Sequence, residues 1–214
     1  MRLTRALTLT VTLTGLIPNA AAQTEQPART ADVCPAWQLL NPADLRAARV
    51  KTAHAFLTDV GGKAQTGSLN RDDLLLQGGS QDGRRCSYLI RDGQVTGRAG
   101  FLSNFQVQTE TTAPTLNGRW QRPGPSGPAG GDSAAELNLS RTPDGLNVQG
   151  GPSVPGVAAP LSGVALTEQP GRWALQSQGC RLNLYPVGPW LVVAADAGCG
   201  DLSAAFGGLY SRVR

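Results

Sequence analysis

Histidine is almost absent from this sequence, and its scarcity limits the chemistry that the chain can support. The 214 residues include one histidine, His54, and four cysteines. No C-x-x-C pair is present, so the closely spaced ligands typical of zinc sites are missing. His54 lies between two alanines in a segment that we expect to form a strand, and no G-x-S-x-G elbow or comparable nucleophile motif accompanies it. We therefore predict no metal site, no cofactor, no catalytic residues and no enzymatic activity.

Concentrated positive charge and long apolar runs are lacking too. The net charge is +4, and the basic residues are scattered singly apart from Arg84 and Arg85. A nucleic-acid-binding protein usually carries a concentrated basic stripe. A transmembrane helix needs about 20 consecutive apolar residues, and no stretch reaches that length. These features predict that the protein neither binds nucleic acid nor spans a membrane.

The N-terminus has the layout of a secretory signal peptide. Arg2 and Arg5 precede residues 6–17, an uncharged run that is apolar apart from threonines and one glycine. Three alanines at positions 20–22 then provide an A-x-A cleavage site. We expect residues 1–22 to be removed and the mature protein to be secreted or periplasmic.

The four cysteines are interpreted in the light of that export. An even number of cysteines in an exported chain predicts disulfides, and four allow three connectivities. Sequence proximity and domain organisation favour Cys34–Cys86 and Cys180–Cys199. We expect both bonds to stabilise small domains and not to act as redox switches.

Glycine and proline divide the chain into short segments, which predicts an all-β protein. The sequence has 27 glycines and 15 prolines. Between them, segments such as residues 135–140 (AELNLS) and 181–185 (RLNLY) alternate polar and apolar residues, as strands do. Residues 41–49 (NPADLRAAR) carry a possible N-cap asparagine and a proline at the first helical position, which favours one short helix. Many short strands with glycine-rich turns are typical of sandwiches and barrels.

A polar, proline-bearing link at residues 109–115 divides the mature chain in two. We predict one β domain with an N-terminal extension at residues 23–112 and a second at 113–214. Each half contains two cysteines. Small domains bury a limited fraction of their surface, so one disulfide in each would stabilise it usefully.

The first half carries a degenerate motif set between residues 53 and 107. Leu69 and the acidic pair Asp72-Asp73 precede an apolar strand at residues 74–76. Tight turns between short segments predict five strands in a strongly bent barrel. The matching residues are Leu69, Asp72, Asp73, Tyr88, Gly100, Phe101, Leu102 and Val107. This half resembles a bacterial SH3-like (SH3b) domain, with Phe101 where that family usually has tryptophan.

The resemblance implies that this half binds a component of the cell envelope, often cell wall or peptide. The candidate binding residues are Arg84, Arg85, Tyr88, Phe101 and Phe105. The alternative, which we favour for Tyr88 and Phe101, is that both rings fill the core of a small barrel.

The second half begins with a G-x-W motif at Gly118 and Trp120 and ends with a longer pattern. The motif is similar to the first strand of calycin-type barrels, where a late basic residue, here Arg212 or Arg214, packs across the tryptophan. The C-terminal pattern resembles the ending of a group of exported bacterial proteins that often place an SH3-like module before it. Its matching residues are Cys180, Leu182, Leu184, Gly188, Trp190, Leu191, Val193, Cys199, Gly200, Phe206, Gly208, Tyr210 and Arg212.

The C-terminal residues predict how a small antiparallel, calycin-like barrel closes. We expect a hairpin with its turn at residues 186–189, followed by a last strand at 202–213 in which Phe206 and Tyr210 point the same way. The residues expected to build the barrel closure are Gly118, Trp120, Trp190, Phe206, Tyr210 and Arg212.

Two functions fit these observations. The first is a non-catalytic envelope protein that binds a macromolecule, either a cell-wall component or a secreted protein, with lysozyme-inhibitor-like proteins as an analogy of fold only. The alternative is a carrier that holds a small apolar molecule in the C-terminal barrel. A continuous apolar cavity would distinguish the second from the first.

Overall fold

The computed structural model describes residues 34–111, 114–124, 133–152 and 160–213, so the predicted signal peptide lies outside the described residues. The protein is all-β, as the sequence predicts. The described residues form thirteen strands and one α-helix, arranged as a five-stranded sheet and a separate closed barrel.

The five-stranded sheet is antiparallel, with the strand order β4-β3-β2-β1-β5. Its strands are β1 (Arg46–Val50), β2 (Leu74–Gln81), β3 (Arg84–Arg91), β4 (Gln94–Ser103) and β5 (Val107–Thr109). A single 3-10 turn, Asn104–Gln106, separates β4 from β5. Strand β1 lies between β2 and β5, so the sheet brings together the beginning and end of this half.

The start of the sheet corrects two sequence predictions. The helix expected at residues 41–49 is wrong beyond one 3-10 turn, Pro42–Asp44, in which Asn41 accepts the N–H of Ala43 at 3.1 Å. Strand β1 follows because Ala48 and Val50 pack inside the sheet while Ala47 packs on its other face, and this burial overrides helix propensity. The strand expected around His54 is also wrong, because this segment makes only isolated bridges.

Eight strands form a closed antiparallel barrel in which consecutive strands pair. They are β6 (Gly118–Pro123), β7 (Ser133–Thr142), β8 (Gly145–Pro152), β9 (Leu161–Gln169), β10 (Arg172–Ser177), β11 (Cys180–Val187), β12 (Trp190–Ala195) and β13 (Gly208–Arg212). Pairing of β13 with β6, including Arg212 with Trp120, closes the barrel.

A helix replaces half of the expected last strand. Residues 202–213 do not form one strand: α1 (Asp201–Phe206) precedes β13. Phe206 therefore enters the barrel from the helix end and Tyr210 from the strand, and the Tyr210 hydroxyl donates to the Phe206 carbonyl at 2.8 Å. Arg122 donates to the carbonyls of Ala204 (3.1 Å) and Ala205 (2.8 Å), which satisfies the free C-terminal end of the helix.

Among the described residues, apolar side chains form three clusters. The barrel interior and the inner face of the sheet each contain one. The third, called here the shared core, lies between the other face of the sheet and the outside of the barrel. Its buried members are Cys34, Leu45, Ala47, Leu76, Cys86, Tyr88, Ile90 and Phe101 from the first half and Val187, Trp190, Val192 and Leu209 from the barrel.

The hairpin of β11 and β12 explains how one strand serves two cores. As the alternation predicts, Leu182 and Leu184 face the barrel interior, whereas Trp190 and Val192 face outward. The outward residues are nevertheless buried, because the sheet covers them. The continuous apolar run in β12 is therefore needed on both faces.

Candidate functional site

Both predicted disulfides are present. Cys34 bonds Cys86 with their Cα atoms 5.5 Å apart, and Cys180 bonds Cys199 with 4.6 Å between Cα atoms. The first bond ties the chain ahead of β1 to β3. The second ties the start of β11 to the turn before α1, so helix and disulfide together close that end of the barrel.

Two of the five predicted binding residues are buried aromatics. Tyr88 is 3% exposed and Phe101 is 8% exposed, and both belong to the shared core. The Tyr88 hydroxyl donates to the Pro35 carbonyl at 2.6 Å, and burial raises the pKa of this phenol to about 12. The guanidinium of Arg84 lies 5.5 Å from the Phe101 ring centre and donates to the Val60 carbonyl at 3.0 Å. These contacts match the core interpretation of both rings.

The other two candidates lie in different surroundings. Arg85 is half-buried and donates to the Gly78 carbonyl at 2.6 Å. Phe105 is 87% exposed. The structure therefore groups Tyr88, Phe101 and Arg84 around the shared core and leaves Phe105 apart from them.

The backbone that carries Phe105 is fixed by its neighbours. It lies in the 3-10 turn, where Ser103 and Gln106 form a reciprocal capping box. The Gln106 carbonyl accepts the N–H of Lys51 at 2.8 Å, which anchors the turn to the end of β1. An exposed aromatic ring on a fixed backbone is thus presented to solvent.

Two residues beside the Phe105 turn carry positive charge. The N–H of Lys51 donates to the Gln106 carbonyl, and Arg71 donates to the Lys51 carbonyl at 2.9 Å. We call Lys51, Arg71 and Phe105 the Phe105 edge. Another ring, Phe56, is 43% exposed. It lies two residues before Thr58, which exchanges two backbone hydrogen bonds with Phe101, at 2.9 and 2.8 Å.

The sequence did not predict the loop in which Phe56 is exposed, because this segment has the alternation of a strand. The segment instead curls back along β4, held by the bridge between Thr58 and Phe101. The available signal of a loop was the long insertion between β1 and β2, which contains the pair Gly61-Gly62 and a further glycine, Gly67.

The histidine and the acidic pair of the first half lie in turns or take part in an ion pair. His54 is exposed with a left-handed backbone (φ 58°). Asp73 is buried and accepts from the Arg91 guanidinium at 2.9 and 3.0 Å and from the N–H of Asn70 at 2.9 Å. Asp72 is exposed in a turn. Within the described ranges, no three His, Cys, Asp or Glu side chains are grouped closely enough to hold a metal ion.

The residues predicted to close the barrel divide between its inside and outside. Trp120, Phe206 and Tyr210 fill the interior, and Trp120 donates its indole N–H to the Leu116 carbonyl at 2.8 Å. Trp190 lies outside, in the shared core.

The arginine expected to pack across the tryptophan of the G-x-W motif lies beside the glycine of that motif. Arg212 pairs with Trp120 across the strands, but its guanidinium lies against Gly118, where an added Cβ would be 3.2 Å from Nε. Glycine at this position leaves room for the arginine. Arg214, the other candidate, is outside the described residues.

In comparisons with protein-family models, curated proteins and solved structures, no match to this chain was found. Among the helices in the described part of the chain, none has the length and apolar character needed to cross a bilayer.

Proposed function

We propose that this protein is a non-catalytic, exported binding protein that recognises a macromolecule of the cell envelope through the Phe105 edge. The partner is a cell-wall component or a secreted protein. The first half acts as an SH3-like binding module, and the barrel is the rigid support on which it is mounted.

The observation that carries this proposal is the exposure of Phe105 on a backbone fixed by a capping box. Covering a phenylalanine side chain contributes about 1.5–3 kcal/mol. Because the backbone of the turn is already fixed, only the two side-chain torsions of Phe105 need to be ordered when a partner covers it. Lys51 and Arg71 add positive charge beside the turn, which suits the carboxylates of wall peptides.

Two further features support the location and the non-catalytic role. Two disulfides fit an oxidising compartment outside the cytoplasm. His54, Asp72 and Asp73 are spread over turns or engaged in ion pairs, an arrangement suited to structure and not to proton transfer.

The alternative of an apolar ligand inside the barrel has less support. Large side chains, including Trp120, Phe206 and Tyr210, occupy the barrel interior and are fully buried. A barrel filled in this way serves better as a scaffold than as a container.

The proposal is tested by cosedimentation of the oxidised protein, residues 23–214, with purified peptidoglycan, and by capture from envelope extract. The variant Phe105→Ser should weaken binding by about tenfold or more, because covering this ring contributes about 1.5–3 kcal/mol and each 1.4 kcal/mol corresponds to a factor of ten. Leu166→Ser is the matched control, since Leu166 is 57% exposed on the outside of the barrel.

Equal binding by Phe105→Ser and the wild type would remove the Phe105 edge from the proposal. Absence of both wall binding and protein capture by the wild type would overturn the binding function itself.

A further inference from the structure

The end of the barrel opposite α1 carries a groove of about 570 Å³. Residues 114–117, just ahead of β6, cross this rim. The ends of β7, β9 and β11 and the start of β10 also contribute to the groove. Leu116 and Trp173 in its lining are buried members of the barrel core, so the groove stops where the packed interior begins. This site is separate from the Phe105 edge and does not depend on the function proposed there.

The walls of the groove are largely apolar. Pro114, Leu116, Trp173 and Pro186 line it. Leu116 is fixed because its carbonyl accepts the Trp120 indole N–H at 2.8 Å. The groove is therefore preformed, and its volume is in the range of small-molecule sites, about 300–1,000 Å³.

Arg141 is the charged residue in the lining, and its position is fixed at two points. Its guanidinium lies 5.2 Å from the Trp173 ring centre, and its backbone N–H donates to the Asn117 side chain at 2.7 Å. Stacking on the ring leaves the edge N–H groups of the guanidinium free to bind an anion.

Five arginines in the described part of the chain have carboxylate partners, and Arg141 is among those that do not. Those with a carboxylate within 4.0 Å are Arg49, Arg91, Arg119, Arg172 and Arg181. In the described part of the chain, no carboxylate lies within that distance of Arg141. Glu168, close by in sequence to the groove residue Thr167, is already paired with Arg172 and Arg181.

We propose that this groove binds a small organic anion with an apolar body, such as a medium-chain carboxylate. The Arg141 guanidinium holds the carboxylate through two parallel hydrogen bonds, the geometry that arginine favours. The apolar body lies on Trp173, Leu116 and the two prolines. The packed interior confines the ligand to the rim, so chain length is limited by the groove and not by the barrel.

The test is calorimetric titration of the oxidised protein with decanoate, decanol and decyltrimethylammonium. Decanoate should bind saturably, and the neutral and cationic probes of equal length should bind about tenfold more weakly or worse, as expected for loss of a charge-assisted bidentate contact. Arg141→Gln should weaken decanoate binding by a similar factor. Arg141→Lys should recover part of the loss, because it keeps the charge without the fork.

Arg98→Gln is the matched control, since Arg98 lies in the five-stranded sheet and donates to the Gly67 carbonyl. It should bind decanoate like the wild type. Amide NMR shifts on decanoate addition should centre on residues 115–117, Arg141 and Gly171. Equal affinity of Arg141→Gln, no preference for decanoate over decanol, no saturable binding at millimolar decanoate, or shifts centred elsewhere would each overturn the site. The probe series uses the wild-type protein and so decides the matter even if Arg141→Gln does not fold.

Discussion

The barrel and the five-stranded sheet differ in what their interiors contain. The barrel encloses four aromatic rings, those of Trp120, Trp173, Phe206 and Tyr210, among leucines and valines. The inner face of the sheet is covered only by nine alanine, valine and leucine residues. Because aromatic side chains bury the largest areas, the barrel has far more apolar area of its own than the sheet has.

The sheet compensates through the shared core. Its aromatics, Tyr88 and Phe101, pack on the face toward the barrel and not on its inner face. Trp190 and Val192 of the barrel cover that face. The barrel is therefore closer to a self-sufficient unit, whereas the first half depends on the barrel for much of its burial.

Removing the central ring of the shared core should have the largest effect. Truncating a buried tryptophan costs about 3–5 kcal/mol, so Trp190→Ala should destabilise the protein by that amount. The sheet should then unfold before the barrel, and hydrogen exchange in β1–β4 should accelerate.

Trp120→Ala makes the same chemical change inside the barrel and serves as the control. It should accelerate exchange in the barrel strands. If Trp190→Ala left the protection of the sheet amides at the wild-type level, the dependence of the sheet on the barrel would be refuted.

The two disulfides give the next largest effects. Their sequence separations are 52 and 19 residues, for which loop-closure entropy predicts about 4 kcal/mol for Cys34–Cys86 and about 3 kcal/mol for Cys180–Cys199. We expect replacement of the first pair by alanine to cost more, since it also frees the chain that covers the shared core. Denaturant unfolding of the two double variants measures the difference. A larger loss for the barrel disulfide would contradict the ranking.

The sequence was sufficient to predict the fold class, the disulfide pairing and the hairpin of β11 and β12. The even cysteine count and the strand alternation can be read directly from the sequence. Leu182 and Leu184 are two residues apart, and both face the barrel interior as strand alternation predicts. The shared core was not predictable, because an apolar run such as β12 does not reveal what covers its second face. Neither was α1: Phe206 and Tyr210 are four residues apart, a spacing that fits one face of a strand as well as one face of a helix.

The candidate sites were less predictable than the fold. Phe105 is a candidate binding residue on sequence grounds, but its exposure follows from its place in the capped 3-10 turn. Arg141 and Trp173 lie on different strands far apart in sequence, and their contact exists only once the barrel has closed. Long-range pairings of this kind leave no periodic signal in the chain.

Gly188, at the tip of the β11–β12 turn, tests the packing of the barrel on the sheet at a single contact. Gly188 has φ 55°, and an added Cβ would collide with the Ala47 side chain of the sheet. Gly188→Ala should cost about 1–3 kcal/mol from the overlap and the left-handed backbone. Gly179→Ala is the control: its φ is 76°, but no atom lies within 4 Å of the added Cβ. Equal melting temperatures of the two variants would show that the contact with Ala47 contributes nothing.

The smallest expected effect comes from Tyr88. Tyr88→Phe should cost about 1 kcal/mol at neutral pH, since the Pro35 carbonyl loses its donor. Burial raises the pKa of Tyr88 to about 12 from the usual value of about 10, so the neutral phenol is favoured in the folded state.

That shift gives the hydroxyl a specific alkaline signature. The stability associated with the raised pKa is fully present below pH about 10 and is lost as the pH rises toward about 12. The free energy of unfolding of the wild type should therefore fall more steeply across this range than that of Tyr88→Phe. Burial also raises the pKa of Tyr210, so Tyr210→Phe reports the same linkage from the barrel. Identical slopes for Tyr88→Phe and the wild type would mean that ionisation of Tyr88 is not coupled to unfolding, and that the sheet face of the shared core is more open to water than the barrel interior.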